Sequence, residues 1–199
     1  MKKQNFYEEY YQELKVAFES GSPSVRYNSD RAHNAVIMCF MFDHSNVVNM
    51  YCGQMSVLRK GFFDKINAQN ELNDPQLGDE LKEHLEHSLD GFLSRAESRL
   101  RILFESYSSE YKSDLISEEN MKKANLNKKL LMKVLPEDLK IRKSIDHFTV
   151  SDTEIYRFED DKEQHSALCS FNNTENSSKL QKNFQILYNL DGNNEVIIY

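Results

Sequence analysis

Apolar residues recur every four positions at the start of the chain. Phe6, Tyr10, Leu14 and Phe18 share one stripe, with Glu8, Glu9, Gln12 and Glu13 opposite, a spacing that predicts a helix over 4–19. Gly21, Ser22 and Pro23 then stop it. Ala35–Phe42 (AVIMCFMF) is an unbroken apolar run of strand length, as expected of a strand buried on both faces. Val47–Tyr51 reads as a second strand, and the two are expected to form a hairpin. Gly53 leads into a short amphipathic helix near Val57–Ile66, followed by a polar loop, 67–78.

From Asp79 to about Ser106, Leu81, Leu85, Leu89, Phe92, Ala96, Leu100 and Leu103 fall on one stripe and predict a single long helix. Its acids come first and its arginines last, which suits the helix dipole. A polar stretch with a short helix over Glu118–Leu126 follows, and Leu130–Leu135 reads as a strand ended by Pro136. His147–Phe158 and Ala167–Phe171 read as two strands joined by the acidic turn 159–166. Ser178–Tyr188 reads as a helix and Val196–Tyr199 as a terminal edge strand. The fold class is therefore α/β: a mixed sheet of five or six strands flanked by helices. The 199 residues fit one domain, with 79–129 as a helical insertion.

Composition narrows the function classes. At 39% hydrophobic with six Gly and three Pro, the chain can build a core and holds no long flexible linker. A net charge of −7 does not favour binding to nucleic-acid backbones, which require a basic surface. The basic residues between Lys122 and Lys143 leave room for a local patch, although a solvated flank is the ordinary reading. No run approaches a membrane span, and the charged N-terminus has no signal-peptide core. A reducing, cytoplasmic setting is expected. Cys39, Cys52 and Cys169 form no CxxC pair, so neither a metal site nor a cofactor is expected.

The peptide LLMKVLPEDL, followed by DHFTVSDTEIYRFEDDKEQHSALCSFNN and SSKLQKNF, resembles the C-terminal half of a phospholipase D-like domain. That superfamily carries His-x-Lys-x-x-x-x-Asp on a strand, with an Asn at the end of a later strand. The resemblance implies a two-His chemistry in which one His attacks phosphorus and the other protonates the leaving group, the lysines neutralising the transition state. Here the motif is incomplete. Placing Asp152 on the family's Asp puts His147 on the Lys position and Ile145 on the His position. Placing His147 on the His puts Thr149 on the Lys position and Glu154 on the Asp position. The first register keeps the apolar spacing of Phe148 and Val150 and is preferred.

The resemblance therefore implies a catalytically incomplete binding or regulatory module that acts as a homodimer or with a partner protein. It also implies bacterial multi-gene systems, including defence against mobile DNA, as a setting. The rival is a dimeric, metal-independent phosphodiesterase or nuclease using His147, with Glu154 and Asn172 or Asn173 nearby. Loss of the Lys would then cost on the order of 10²-fold in rate. Three other features invite chemistry. His84 and His87 share a helix face without an HExxH pattern, and read as polar surface. Cys52 before Gly53 would need His33, His44 or His147 to serve as a nucleophile. Arg157 and His165 read as surface partners of the acidic turn.

Overall fold

The computed structural model describes residues 5–28, 30–53, 56–69, 71–106, 114–139, 145–161 and 166–195. Its first helix, α1 (Phe6–Glu19), is capped by Asn5, whose side chain accepts from the Tyr7 and Glu8 amides. The predicted stripe turns inward, burying Tyr10, Leu14 and Ala17. Strand β1 (Ser24–Asn28) follows.

The apolar run that reads as a strand is instead the helix α2 (Arg31–His44). Asp30 caps it by accepting from the His33 amide at 2.9 Å. Every residue from Asn34 to Phe42 is buried. A helix enclosed on all sides is apolar all round and loses its 3.6-residue signature, which is why the run imitates a buried strand. Each large side chain enclosed here contributes about 1.5–3 kcal/mol. The expected hairpin is consequently absent.

Strand β2 (Val47–Cys52) pairs with two later strands. A short 3₁₀ turn leads to α3 (Lys60–Ala68). The long amphipathic helix is present as α4 (Leu77–Ser94), but it ends earlier than expected. Arg99–Phe104 is not its last turns; it is the strand β3, in the middle of the sheet. Leu100, Ile102 and Phe104 face one core and Leu103 the other, so the positions of a doubly covered strand imitate helical spacing.

Helix α5 (Glu118–Leu126) and strand β4 (Leu130–Val134) lie as expected. His147–Phe158 is not one strand. It divides into β5 (Phe148–Ser151) and β6 (Tyr156–Asp161), an antiparallel hairpin turning at Asp152–Ile155. Glu154 occupies the left-handed region at φ 62° in that turn, without a glycine to signal it. Strand β7 (Ser166–Phe171), α6 (Thr174–Tyr188) and β8 (Asn194–Glu195) complete the described chain. The edge strand expected at 196–199 lies outside the described residues.

Among the described residues the sheet has eight strands, in the order β1-β7-β6-β5-β2-β3-β4-β8. Strands β2, β3 and β4 are parallel, and the neighbouring pairs beyond them are antiparallel. One face packs on α2, with α1, α3 and α4 contributing to the same core. The other packs on α6 through Phe184, Leu187 and Tyr188. No described helix is long and apolar enough to cross a membrane.

Candidate functional site

Ligand sites of open α/β sheets lie outside the carboxyl ends of the parallel strands, and a polar chain of residues gathers at that edge here. Strand β5 runs antiparallel to β2, so His147, immediately before β5, arrives at the carboxyl end of β2. Glu105 immediately follows β3, and its amide donates to the Cys52 carbonyl at 2.8 Å. Glu159 lies on β6 directly across from His147, its amide donating to the His147 carbonyl at 2.9 Å.

The side chains close around the imidazole. His147 Nδ1 lies 2.8 Å from Glu159 Oε2, and Nε2 lies 3.1 Å from Glu105 Oε2. The Tyr51 ring meets the imidazole edge-on at 5.7 Å. On the remaining side is Gly53, where an added Cβ would stand 2.9 Å from His147 Cε1. Arg157 Nη2 donates to Glu159 Oε1 at 3.4 Å, while its Nε donates to the buried Asn34 Oδ1 at 2.9 Å. Asn34 in turn donates to the Asp30 carbonyl. One network thus joins the N-terminus of α2 to β6, β5 and β3. The His147, Glu105, Glu159 and Arg157 side chains are only 15%, 18%, 10% and 14% exposed.

This geometry restricts the chemistry. Each ring nitrogen of His147 faces a carboxylate oxygen within hydrogen-bond distance, so neither stands open toward a substrate. Burial of Asp30 acts to raise its pKa, but hydrogen bonds from the His33 side chain and backbone outweigh it and hold the carboxyl below its ordinary value. Among the described residues no group of three or more His, Cys, Asp or Glu side chains has a geometry that could hold a metal ion.

The three residues singled out from the sequence do not converge. Glu154 sits in the β5–β6 turn, its Oε2 accepting from Thr174 Oγ1 at 2.9 Å. Asn172, at φ 54°, donates through Nδ2 to the carbonyls of Ala17, Phe18 and Ser22, clamping the end of α1. Glu154 lies past the other end of β5, roughly 13 Å of strand rise from His147, and Asn172 follows β7, two strands farther along that same edge of the sheet. Asn173 caps α6 by accepting from the Asn176 amide. Asp152 accepts from the Asn46 amide at that same end. Ile145 packs against the α6-side core.

Other expectations resolve as follows. His84 stacks on Tyr7 with ring centroids 3.6 Å apart. Lys129 and Lys133 are occupied with backbone carbonyls of Leu93, Arg95 and Tyr188, while Arg142, Lys143 and His165 lie outside the described residues. Arg157 does pair with Glu159 of the acidic segment, as expected, but it is held within the network and not at the surface. Glu105 and Glu159 escape the sequence because they stand 42 and 12 residues from His147. Glu159 would have been legible once the turn was placed near Thr153, because hairpin register then sets it opposite His147.

The structure resembles the crystal structure of Nuc, a phospholipase D family member from Salmonella typhimurium. The likeness has a TM-score of 0.52 at 10% sequence identity and covers 88% of this chain and 99% of that one. The fold is phospholipase D-like. This likeness spans most of the chain, not only its last third. No protein-family model matches the sequence, and no curated protein matches it.

Proposed function

We propose that this phospholipase D-like chain is catalytically incomplete and serves as a cytoplasmic binding or regulatory module, acting as a homodimer or with a partner protein. A bacterial multi-gene defence system is the setting that the resemblance suggests. The observation that carries the reading is the double engagement of His147, with Glu159 on Nδ1 and Glu105 on Nε2. Nucleophilic catalysis requires an activated nitrogen within reach of phosphorus, and here both are taken. In the preferred register the nucleophile's position belongs to apolar Ile145. A His147 holding two carboxylates acts as a brace between β3 and β6 rather than as a reagent.

One observation favours the rival reading, a dimeric metal-independent phosphodiesterase. A carboxylate on Nδ1 is also how a catalytic imidazole is oriented, and Glu159 stands there. Thr149 replaces the lysine in that register, but Arg157 lies directly opposite it on β6 and brings a cation to the same face. Its engagement with Glu159 and Asn34 weighs against that role.

The test is hydrolysis of a chromogenic phosphodiester, single- and double-stranded DNA, and RNA by the full chain, with and without chelator, beside His147→Ala. The expected result is no turnover that the substitution removes. Chelator-resistant cleavage abolished by His147→Ala would overturn the proposal and establish the enzyme. Sedimentation of the same sample distinguishes a homodimer from a chain that requires a partner.

A further inference from the structure

Strand β1 stands at one end of the sheet and, among the described residues, pairs on one side alone, with β7. Such an edge turns alternate backbone amides and carbonyls outward and is a template for another strand. Natural edges are blunted by lysine, proline or a bulge. None of these lies within β1, which reads Ser-Val-Arg-Tyr-Asn and pairs with β7 in unbroken register from Ser24 to Asn28.

The side chains agree. Tyr27 lies beside Leu168 of β7, which packs on the α6-side core, so Tyr27 and Val25 both emerge on the α6 face. They are 62% and 54% exposed. The other exposed large apolar side chains among the described residues are Val16, Leu72, Leu126 and Ile186, each alone on a separate element. Only on β1 do two of them share a strand and a face. Arg26 lies beside Cys169, on the opposite face.

We propose that β1 pairs antiparallel with β1 of a second copy, about a two-fold axis at Arg26, so that one sheet runs through both copies. This names the surface of the homodimer in the proposed function and rests on that part of it. The pattern of β1 selects a second copy as the occupant. A two-fold contact requires a surface complementary to itself. With Arg26 at the centre, Val25 of each copy lies opposite Tyr27 of the other, and Ser24 opposite Asn28. Two β-branched–aromatic pairs thus form on the α6 face, a kind that stabilises antiparallel strands. The unfavourable contact is Arg26 against its own copy, a like-charge pair that salt screens. Five residues of strand span about 17 Å, so the contact is small and belongs with weak, concentration-dependent dimers.

The experiment is sedimentation velocity of the full chain over a wide concentration range, beside the double variant Val25→Lys, Tyr27→Lys. Both positions are exposed, so the melting midpoint of the dilute protein should hold. Association should weaken about tenfold or more, because each dimer loses two cross-strand pairs. Arg26→Ala should instead tighten it, up to about fivefold. Arg26→Cys reads the register directly. Opposite Cα atoms of antiparallel strands stand about 4.5–5.5 Å apart, within disulfide range. Oxidised glutathione should therefore join two Arg26→Cys copies through one S–S bond, the two thiols being oxidised as the glutathione disulfide is reduced. Ile186→Cys, exposed on α6, should stay unjoined. A dimer that the double variant leaves unchanged, or in which Arg26→Cys does not join, overturns the proposal and leaves the homodimer reading standing. A chain that stays monomeric throughout overturns both, and leaves the proposed function with a partner protein.

Discussion

Replacing Arg95 with alanine tests the assignment of α2 as a helix more sharply than any change within α2. The end of a helix leaves its last carbonyls without intrahelical donors, and α2 ends at His44, among buried Phe42 and Ser45 and exposed Asp43. Arg95, just beyond α4, supplies those donors. Its Nη2 donates to the carbonyls of Phe42 and Ser45 and its Nη1 to that of Asp43, while the guanidinium lies over the Phe92 ring at 5.1 Å. Phe42 and Ser45 are buried and Asp43 is exposed, so water can replace the lost donor at only one of the three acceptors. With a hydrogen bond to a charged donor worth about 1.5–3 kcal/mol, two unreplaced bonds amount to about 3 kcal/mol at the lower figure. For a chain of this length that corresponds to a fall in melting midpoint of roughly 6–12 °C. Arg95→Lys keeps the charge but loses the fork, and should recover about a third of the loss. Urea unfolding followed by circular dichroism gives the free energy directly. A loss below about 0.5 kcal/mol, the ordinary scale for a surface substitution, would show that Arg95 does not hold the end of α2.

Gly53→Ala drives a methyl group to 2.9 Å from His147 Cε1; because both carboxylates hold that ring, the strain should cost about 1–3 kcal/mol. It should also move the His147 ring resonances in an NMR spectrum, and an unmoved ring would show that the site is looser than described. Asn172→Ala removes three carbonyl contacts at the end of α1 and places alanine at φ 54°, so stability should fall by about 1–3 kcal/mol. Asn172→Gly should recover the backbone part alone, and equal stability of the two variants would separate the clamp from the strain. Asp30, whose carboxyl is held below its ordinary value of 3.8, contributes stability present above that value. This stability is lost as pH falls through the lower folded-state pKa. Asp30→Asn should therefore flatten the acid side of the stability profile, and an unchanged profile measured from pH 5 downward would remove the pair from the account.

The local elements whose cause lies within a few residues are legible in the sequence. The stripe Phe6, Tyr10, Leu14 and Phe18 with its Gly21–Pro23 stop makes α1, and the stripe from Leu81 to Phe92 makes α4. The α/β class likewise follows from apolar segments at strand and helix spacing. Three features required the tertiary structure. Ala35–Phe42 is equally apolar as a helix or a strand, and only its enclosure between the sheet and the outer helices, with Asp30 and Arg95 at its two ends, decides for the helix. Leu100 and Leu103 continue the α4 stripe by coincidence; the chain leaves the helix because β3 gains two parallel neighbours, β2 and β4, which no local spacing records. The turn at Glu154 carries no glycine, so the β5–β6 hairpin was hidden, and with it the register that sets Glu159 against His147. Glu105 immediately follows β3, a segment whose spacing by itself reads as helix. Periodicity reports how one segment meets its surroundings, whereas a site built from β3, β5, β6 and α2 depends on which segments become neighbours. That choice is made by burial across the whole sheet.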